Sequence, residues 1–204
     1  MRLFIAISLN SQLQQKLTEL QEKFRARKGI RWVKLQNIHL TLNFLGEVDE
    51  QKIPLIKKAM QKATRGVSPF SLSFDGLGTF PNLKAPRVIW LGLKSEKEVV
   101  SLQQRLEKEL SRIGFSPEKR KFQPHLTLGR VKFLENKKEF VKRMQELEQA
   151  SLSSKLRVDK IELIESKLTP QGPIYSSLCG ISLSGAKLQS VRSETSDTSS
   201  DTYL

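Results

Sequence analysis

The spacing of apolar residues predicts four amphipathic helices, in residues 11–27, 50–64 and 95–114 and from about Asn136 onward. Apolar side chains recur there every three or four residues, which places them on one helix face. These faces comprise Leu13, Leu17, Leu20 and Phe24; Ile53, Ile56, Met60 and Ala63; Val99, Leu102, Leu106, Leu110 and Ile113; and Phe140, Met144 and Leu147. Asp49 is a candidate N-cap of the second helix. Ser95 and Glu98 predict a capping box for the third, and Gly114 predicts its end.

Short apolar or alternating runs between the helices predict strands. They cover residues 2–8, 38–45, 70–75, 87–93, 125–133, 157–166 and 174–183. Strands that alternate with helices favour an α/β or α+β fold, in which the helices pack outside a sheet.

One sequence pattern occurs twice. Residues 39–48 read His-Leu-Thr-Leu-Asn-Phe-Leu-Gly-Glu-Val, and residues 125–131 read His-Leu-Thr-Leu-Gly-Arg-Val, 86 residues further along. Each copy lies in a predicted strand that is followed by a predicted helix. The repeat therefore predicts a duplicated sandwich of two similar lobes related by a pseudo-twofold axis.

The chain has two histidines, and both begin the tetrapeptide His-Leu-Thr-Leu. Successive side chains of a strand point to opposite faces, so His39 and Thr41 share one face, as do His125 and Thr127, while the leucines face the helices. If the lobes face each other, two His-Thr pairs line a common cleft.

Such a cleft is suited to phosphoryl chemistry. Imidazole titrates near neutral pH, so one ring can accept a proton from water while the other donates one to a leaving oxygen. The threonine hydroxyls can hydrogen-bond phosphate oxygens, and Arg130 is the candidate for compensating the charge that develops on them. The alternatives are structural histidines, a solvated Arg130, or a metal site. The metal site is the weaker rival, because no Cys, Asp or Glu lies at ligand spacing from the histidines.

Composition adds a preference for polyanions. The 204 residues include 35 Lys and Arg against 21 Asp and Glu, a net charge of +14, with basic clusters at 25–28 and 119–121 and at Arg31 and Lys34. A surplus of this size attracts nucleic acid, although a merely soluble charged surface would have the same composition. No apolar run is long enough to span a membrane, no signal peptide is evident, and one cysteine forms no disulfide within the chain. We expect a cytoplasmic monomer.

The composition changes near residue 184. Residues 184–204 are rich in Ser, Thr, Asp and Glu with almost no large apolar side chain, which predicts a disordered tail without chemistry. The folded domain is expected to occupy residues 1–183.

The paired motifs resemble those of the two-histidine (2H) phosphoesterase superfamily, and within it the RNA 2′,3′-cyclic phosphodiesterases, also called 2′-5′ RNA ligases. The similar segments, across roughly residues 1–183, are Arg-Leu-Phe-Ile-Ala-Ile at 2–7, Trp-Val at 32–33, Asn-Ile-His-Leu-Thr-Leu at 37–42 with Phe-Leu-Gly at 44–46, Phe-Gln-Pro-His-Leu-Thr-Leu-Gly-Arg at 122–130, Ser-Lys-Leu at 166–168 and Gly-Pro-Ile-Tyr at 172–175.

The resemblance implies two antiparallel sheets facing a central cleft, with helices outside. It implies His39 as the proton donor, His125 as the proton acceptor, and Thr41, Thr127 and Arg130 as ligands of the phosphate. It implies no metal and no organic cofactor. The substrates would be RNA ends or cyclic nucleotides, and no membrane or protein partner is implied.

The sequence is compatible with three functions. The first is hydrolysis of a 2′,3′-cyclic phosphate to a 2′-phosphate. The second is a non-catalytic RNA- or nucleotide-binding module with the same cleft. The third is 2′-5′ ligation of RNA ends, which would be independent of ATP because no Gly-x4-Gly-Lys loop is present.

Overall fold

The computed structural model describes residues 1–23, 28–94, 96–148 and 154–185, and these form an antiparallel sheet with helices. The strands are β1 (Arg2–Ser8), β2 (Ile30–Trp32), β3 (His39–Glu47), β4 (Phe70–Phe80), β5 (Val88–Leu93), β6 (His125–Val131), β7 (Lys155–Val158), β8 (Lys160–Thr169) and β9 (Gly172–Ser182). The helices are α1 (Ser11–Glu22), α2 (Ile53–Thr64), α3 (Lys97–Ser111) and α4 (Lys137–Glu148).

The sheet order is β7-β4-β5-β6-β3-β1-β8-β9, with β2 paired to β6 outside this path. Its two halves meet at β6 and β3, which pair antiparallel at Leu40 and Leu126. The two sheets implied by the resemblance are thus joined by the pairing of β3 with β6 into one hydrogen-bonded path. The two motif-bearing strands lie next to each other at the centre.

The internal repeat extends to the secondary structure. Strands β1 and β5 begin 86 residues apart, as do helices α1 and α3, and this is also the separation of the two histidines. Each half therefore runs strand, helix, motif strand, helix. The two-lobed duplication predicted from the sequence is confirmed at this level, and the pseudo-twofold axis passes between β3 and β6.

The helices cover one face of the sheet. Strand residues Leu3, Ile5 and Ile7 belong to the same apolar core as Leu17 of α1 and Phe140 of α4. At about 25 cal/mol per Å² of apolar surface, this burial is the main stabilisation of the layered arrangement. The opposite face of β1 carries a smaller cluster of Phe4, Ala6 and Ile164, so β1 is buried on both sides. The histidines lie on that second face, which is hereafter called the cleft face.

Several predicted boundaries differ from the structure. Helix α1 ends at Glu22, and Phe24 and residues 25–27 lie outside the described residues. The N-cap of helix α3 is Glu96, and its side chain makes no capping hydrogen bond. The predicted capping box, which placed the N-cap at residue 95, is therefore wrong by one residue. Ser95 itself lies outside the described residues. The Glu96 carboxylate instead accepts a hydrogen bond from the Ser73 amide in β4 (3.3 Å).

The predicted end of the third helix is confirmed, whereas the N-cap predicted for the second helix belongs to the 3-10 turn before it, and the N-cap of α2 itself is Lys52. Asp49 accepts from the amide of Gln51 and caps a short 3-10 turn that leads into α2. Gly114 follows α3 with a φ of +91°, which is the left-handed conformation that favours glycine at a helix end.

The predicted strand 157–166 is divided into β7 and β8 around Asp159. Strand β2 was not predicted, because three residues are too few to show an alternating pattern. Most of the predicted tail, residues 186–204, lies outside the described residues.

Candidate active site

The pairing of β3 with β6 brings the two His-Thr pairs together. Because the strands are antiparallel and Leu40 lies opposite Leu126, the register places His39 on the side of Thr127 and Thr41 on the side of His125. Both leucines are fully buried in the helix-covered core, whereas the two histidines and two threonines are half-buried on the cleft face. The cleft therefore presents two imidazoles and two hydroxyls in a diagonal arrangement.

Each imidazole is oriented by the same backbone contact. The Nδ1 atom of His39 lies 2.8 Å from the carbonyl oxygen of Asn37, and the Nδ1 atom of His125 lies 2.7 Å from that of Gln123. A carbonyl oxygen can only accept, so Nδ1 carries the proton in both rings. This leaves Nε2 of each ring as the atom that can accept a proton when neutral or donate one when charged.

Aromatic rings surround His39. Its imidazole stacks on Phe4, with ring centroids 4.7 Å apart, and meets Tyr175 of β9 edge-on at 5.3 Å. Burial between these rings lowers the pKa of His39 from 6.5 to about 4, although the hydrogen bond to Asn37 raises it, and the nearby His125 lowers it further. The ring is therefore neutral at pH 7 in the ligand-free protein.

The second histidine has a similar but less enclosed environment. Phe80 meets the His125 ring edge-on at 5.0 Å, and Trp90 lies 6.3 Å from it. Burial lowers the pKa of His125 as well, against the opposing effect of the Gln123 hydrogen bond. Both imidazoles are consequently neutral near pH 7 before a ligand binds.

A β-bulge turns Arg130 toward the cleft. Thr127 lies opposite Trp90 and Gly129 lies opposite Ile89, so Leu128 is an extra residue in β6. Uninterrupted alternation from Thr127 would have turned Arg130 to the leucine face. The bulge reverses this parity, and Arg130 lies opposite Val88, on the face of Trp90.

The first lobe has the same bulge. Ala6 lies opposite Thr41 and Ile5 lies opposite Asn43, which makes Leu42 the extra residue, 86 positions before Leu128. Phe44, the positional counterpart of Arg130, then lies opposite Phe4 and is 74% exposed. The two lobes thus share a backbone geometry but present a cation in one and an aromatic ring in the other.

The positive charge of Arg130 acts on the hydroxyl of Tyr175 in strand β9. Burial raises the pKa of the Tyr175 hydroxyl, and the positive charges of Arg130 and Arg2 oppose that rise. Tyr175 also contacts the His39 ring, so the positive charge of Arg130 acts on a side chain that adjoins His39.

The structure brings all five predicted site residues, His39, Thr41, His125, Thr127 and Arg130, to one face of two adjacent strands. The aromatic rings that enclose the histidines were not among the residues predicted from the sequence. Phe4 and Trp90 are separated by 86 residues in equivalent strands, so the repeat could have identified them as a pair. Phe80 and Tyr175 had no such signal.

Neither a metal cluster nor a membrane span is found in the parts of the chain that the structure describes. Within these ranges, no group of three or more His, Cys, Asp or Glu side chains could hold a metal ion. No described helix combines the length and apolar character needed to cross a membrane. Cys179 is a free thiol.

Comparison with known proteins gives the same division into two lobes as the structure. The chain belongs to the LigT-like phosphoesterases, whose family model matches residues 7–90 and again residues 91–175, once for each lobe. The chain is 42% identical over 179 residues to the RNA 2′,3′-cyclic phosphodiesterase of Thermotoga maritima, covering 87% of this chain and 93% of the relative. It is 38% identical over 175 residues to the protein of that name from Methanocaldococcus jannaschii, covering 86% and 96%.

Solved structures agree with this assignment. The crystal structure of TT0787 from Thermus thermophilus superposes with a TM-score of 0.77 at 28% identity, covering 90% of this chain and 98% of that one. Escherichia coli LigT complexed with 3′-AMP superposes with a TM-score of 0.69 at 25% identity, covering 89% and 97%. The α/β fold class expected from the sequence is confirmed.

Proposed function

We propose that this protein is an RNA 2′,3′-cyclic phosphodiesterase, which hydrolyses the cyclic phosphate at the end of an RNA or a nucleotide and leaves a 2′-phosphate. The observation that carries the proposal is the meeting of two His-x-Thr strands at the β3–β6 junction, with both imidazoles held through Nδ1 and both Nε2 atoms free to exchange protons. The names of the relatives support the same substrate class.

The two histidines take opposite roles. His125, neutral at pH 7, accepts a proton from water through Nε2 as the water oxygen bonds to phosphorus. The bond between phosphorus and the ribose 3′-oxygen breaks, and His39, as an imidazolium, donates its Nε2 proton to that oxygen. One water is consumed. Its proton passes to His125, and the proton of His39 passes to the ribose 3′-oxygen, so the reaction involves no redox partner.

Thr41, Thr127 and Arg130 would hold the non-bridging oxygens. Their hydroxyl and guanidinium donors are fixed on adjacent strands before the substrate arrives, so charge that develops in the transition state meets donors already in place. This role for Arg130 depends on the bulge at Leu128, which turns its side chain to the cleft face.

The donor role of His39 requires that the substrate changes its protonation. In the ligand-free protein the burial of His39 opposes its protonation and lowers its pKa to about 4. A cyclic phosphate carries one negative charge, which stabilises an imidazolium beside it and raises its pKa. We therefore infer that His39 takes up a proton when the substrate binds.

The proposal is tested with a 2′,3′-cyclic-phosphate oligonucleotide in excess EDTA. We expect turnover to a 2′-phosphate, identified by phosphorus NMR, because the proposed acid and base are both protein side chains. His39→Ala and His125→Ala should each lower kcat by about 100- to 10,000-fold with an unchanged circular dichroism spectrum. A 3′-phosphate product would refute the bond assignment, loss of activity in EDTA that zinc restores would refute the metal-free mechanism, and tight binding without hydrolysis would identify a binding module.

We propose a cytoplasmic monomer with a folded domain of residues 1–183, on the grounds of the single cysteine, the basic charge and the match to the family model within residues 7–175. Size-exclusion chromatography with light scattering tests the monomer.

A further inference from the structure

We propose that Arg31 binds a second phosphate of the substrate, the 5′-phosphate of the nucleotide that carries the cyclic phosphate, so that the preferred substrate is the end of an RNA strand rather than an unphosphorylated nucleoside cyclic phosphate. The inference rests on the proposed function and specifies its substrate. Strand β2 pairs with β6 so that Ile30 lies opposite Val131, Arg31 opposite Arg130, and Trp32 opposite Gly129.

The face on which Arg31 lies follows from its neighbours. A Cβ atom on Gly129 would lie 2.9 Å from the Trp32 ring and 3.2 Å from a methyl carbon of Ile30, so these two side chains are on the side to which position 129 points. Both also pack against the main core. Alternation then places Arg31 on the opposite face, which is the cleft face that Arg130 occupies.

The backbone beneath this pair is held firmly. The Val33 amide donates to the Leu128 carbonyl oxygen at 2.9 Å, and the buried Gln21 amide group of α1 donates to the carbonyl oxygens of Val33 and Leu128, both at 3.0 Å. The two arginines therefore project from a fixed platform, as a binding site requires.

Two like charges opposite each other on adjacent strands are unfavourable unless something neutralises them. Arg31 and Arg130 are both exposed, and neither takes part in an ion pair within the described ranges of the chain. Their Cβ atoms are expected about 5 Å apart. An anion with two phosphates would neutralise both charges, one at the reaction centre and one beside it.

Arg2 is the competing cation on the cleft face, since its charge also acts on Tyr175. It lies opposite Glu47 in the β1–β3 pairing, whose carboxylate is also 3.7 Å from the N-terminal amine. A neighbouring carboxylate repels phosphate. The residue opposite Arg31 is the cation Arg130 and not a carboxylate, so the structure favours Arg31 over Arg2.

The reacting phosphate bridges O2′ and O3′ of the terminal ribose, and the next phosphate along an RNA strand is attached to O5′ of the same ribose. An arginine adjacent to the one that holds the reacting phosphate is thus placed to hold the next. A guanidinium can do so bidentately, which a lysine cannot.

The test compares adenosine 2′,3′-cyclic phosphate with its 5′-phosphorylated form, and the quantity measured is the ratio of their kcat/KM values. For the wild type we expect a ratio of about ten or more in favour of the 5′-phosphorylated substrate. Arg31→Ala should reduce this ratio to near one, with Arg31→Lys between the two. Arg130→Ala should lower kcat/KM for both substrates and leave the ratio unchanged.

Arg157→Ala is the matched control, because Arg157 is an exposed strand arginine on β7, three strands away from β6. It should alter neither value. A wild-type ratio of one, or an unchanged ratio in Arg31→Ala, would overturn the proposal; if that variant fails to fold, Arg31→Gln decides by the same criterion.

Failure of the proposed function has a different signature, namely no hydrolysis of either substrate by the wild type. The Arg31 site is then measured by equilibrium binding of adenosine 2′-phosphate and adenosine 2′,5′-bisphosphate. Loss of the preference for the bisphosphate in Arg31→Ala supports the second phosphate site, and its retention refutes it.

Discussion

Binding of a cyclic nucleotide should make His39 take up a proton. The ring has a pKa of about 4 in the ligand-free protein because Phe4 and Tyr175 shield it from water, so only about 1% of it is protonated at pH 6. A phosphate charge about 4 Å away contributes about 4 kcal/mol at an effective dielectric constant of 20. At 1.36 kcal/mol per pKa unit this is about three units, which brings the bound pKa to about 7.

The assay uses the His125→Ala variant, in which hydrolysis is slowed by about 100- to 10,000-fold and His39 is the remaining histidine. Titration calorimetry at pH 6 in two buffers with different ionisation enthalpies measures the protons taken up per cyclic nucleotide bound. We expect about 0.9 proton from the pKa change. The phosphodiester itself does not titrate near pH 6, and adenosine, which lacks the phosphate, should cause no uptake.

The His39→Ala variant is the matched control, in which any proton taken up belongs to His125, the assigned acceptor. Uptake in His39→Ala and none in His125→Ala would exchange the two roles. No uptake in either variant would refute the reasoning that the substrate charges the donor.

Three further outcomes follow from the site and its packing. Arg130→Ala should lower kcat/KM by about 100-fold or more, with Arg130→Lys in between, since charge on the phosphate oxygens grows in the transition state; wild-type turnover would show that Arg130 is a surface charge. Gly78→Ala should cost about 1–3 kcal/mol and lower activity, because the new Cβ would lie 2.2 Å from the Trp90 ring that adjoins His125; urea unfolding and steady-state kinetics measure both effects. Finally, the folded-state pKa of His39 is below its ordinary 6.5, so the contribution of His39 to stability is present above pH 6.5 and is lost as the pH falls toward 4. The difference in unfolding free energy between wild type and His39→Asn should therefore decrease by up to about 3 kcal/mol over that range. A constant difference would contradict the low pKa.

The aromatic enclosure of the histidines shows where sequence reasoning stopped. Phe80 and Tyr175 come from β4 and β9, which are distant in sequence from the motifs, and their contact with His125 and His39 depends on strand order. The depressed pKa values follow from that enclosure. Neither the order of the strands nor the desolvation of an imidazole can be read from alternation within one strand.

The capping box illustrates a local failure. Ser95 and Glu98 have the right spacing, yet the helix has Glu96 as its N-cap, and the Glu96 carboxylate is hydrogen-bonded to Ser73 in β4. One capping bond contributes only about 1 kcal/mol, so the spacing of Ser95 and Glu98 does not by itself fix where the helix begins.

The amino-acid sequence by itself determined the duplication, the two His-x-Thr strands, the helical faces and the five candidate site residues, because these depend on residue identity and on periodicities that the backbone imposes on every strand and helix. Tertiary structure decided which faces those residues share with one another. The bulge at Leu128 reverses the parity of β6 and turns Arg130 into the cleft, and the short β2 strand sets Arg31 beside it. Bulges and cross-strand register arise from how separate strands pack and pair, so they appear only when the whole sheet is assembled.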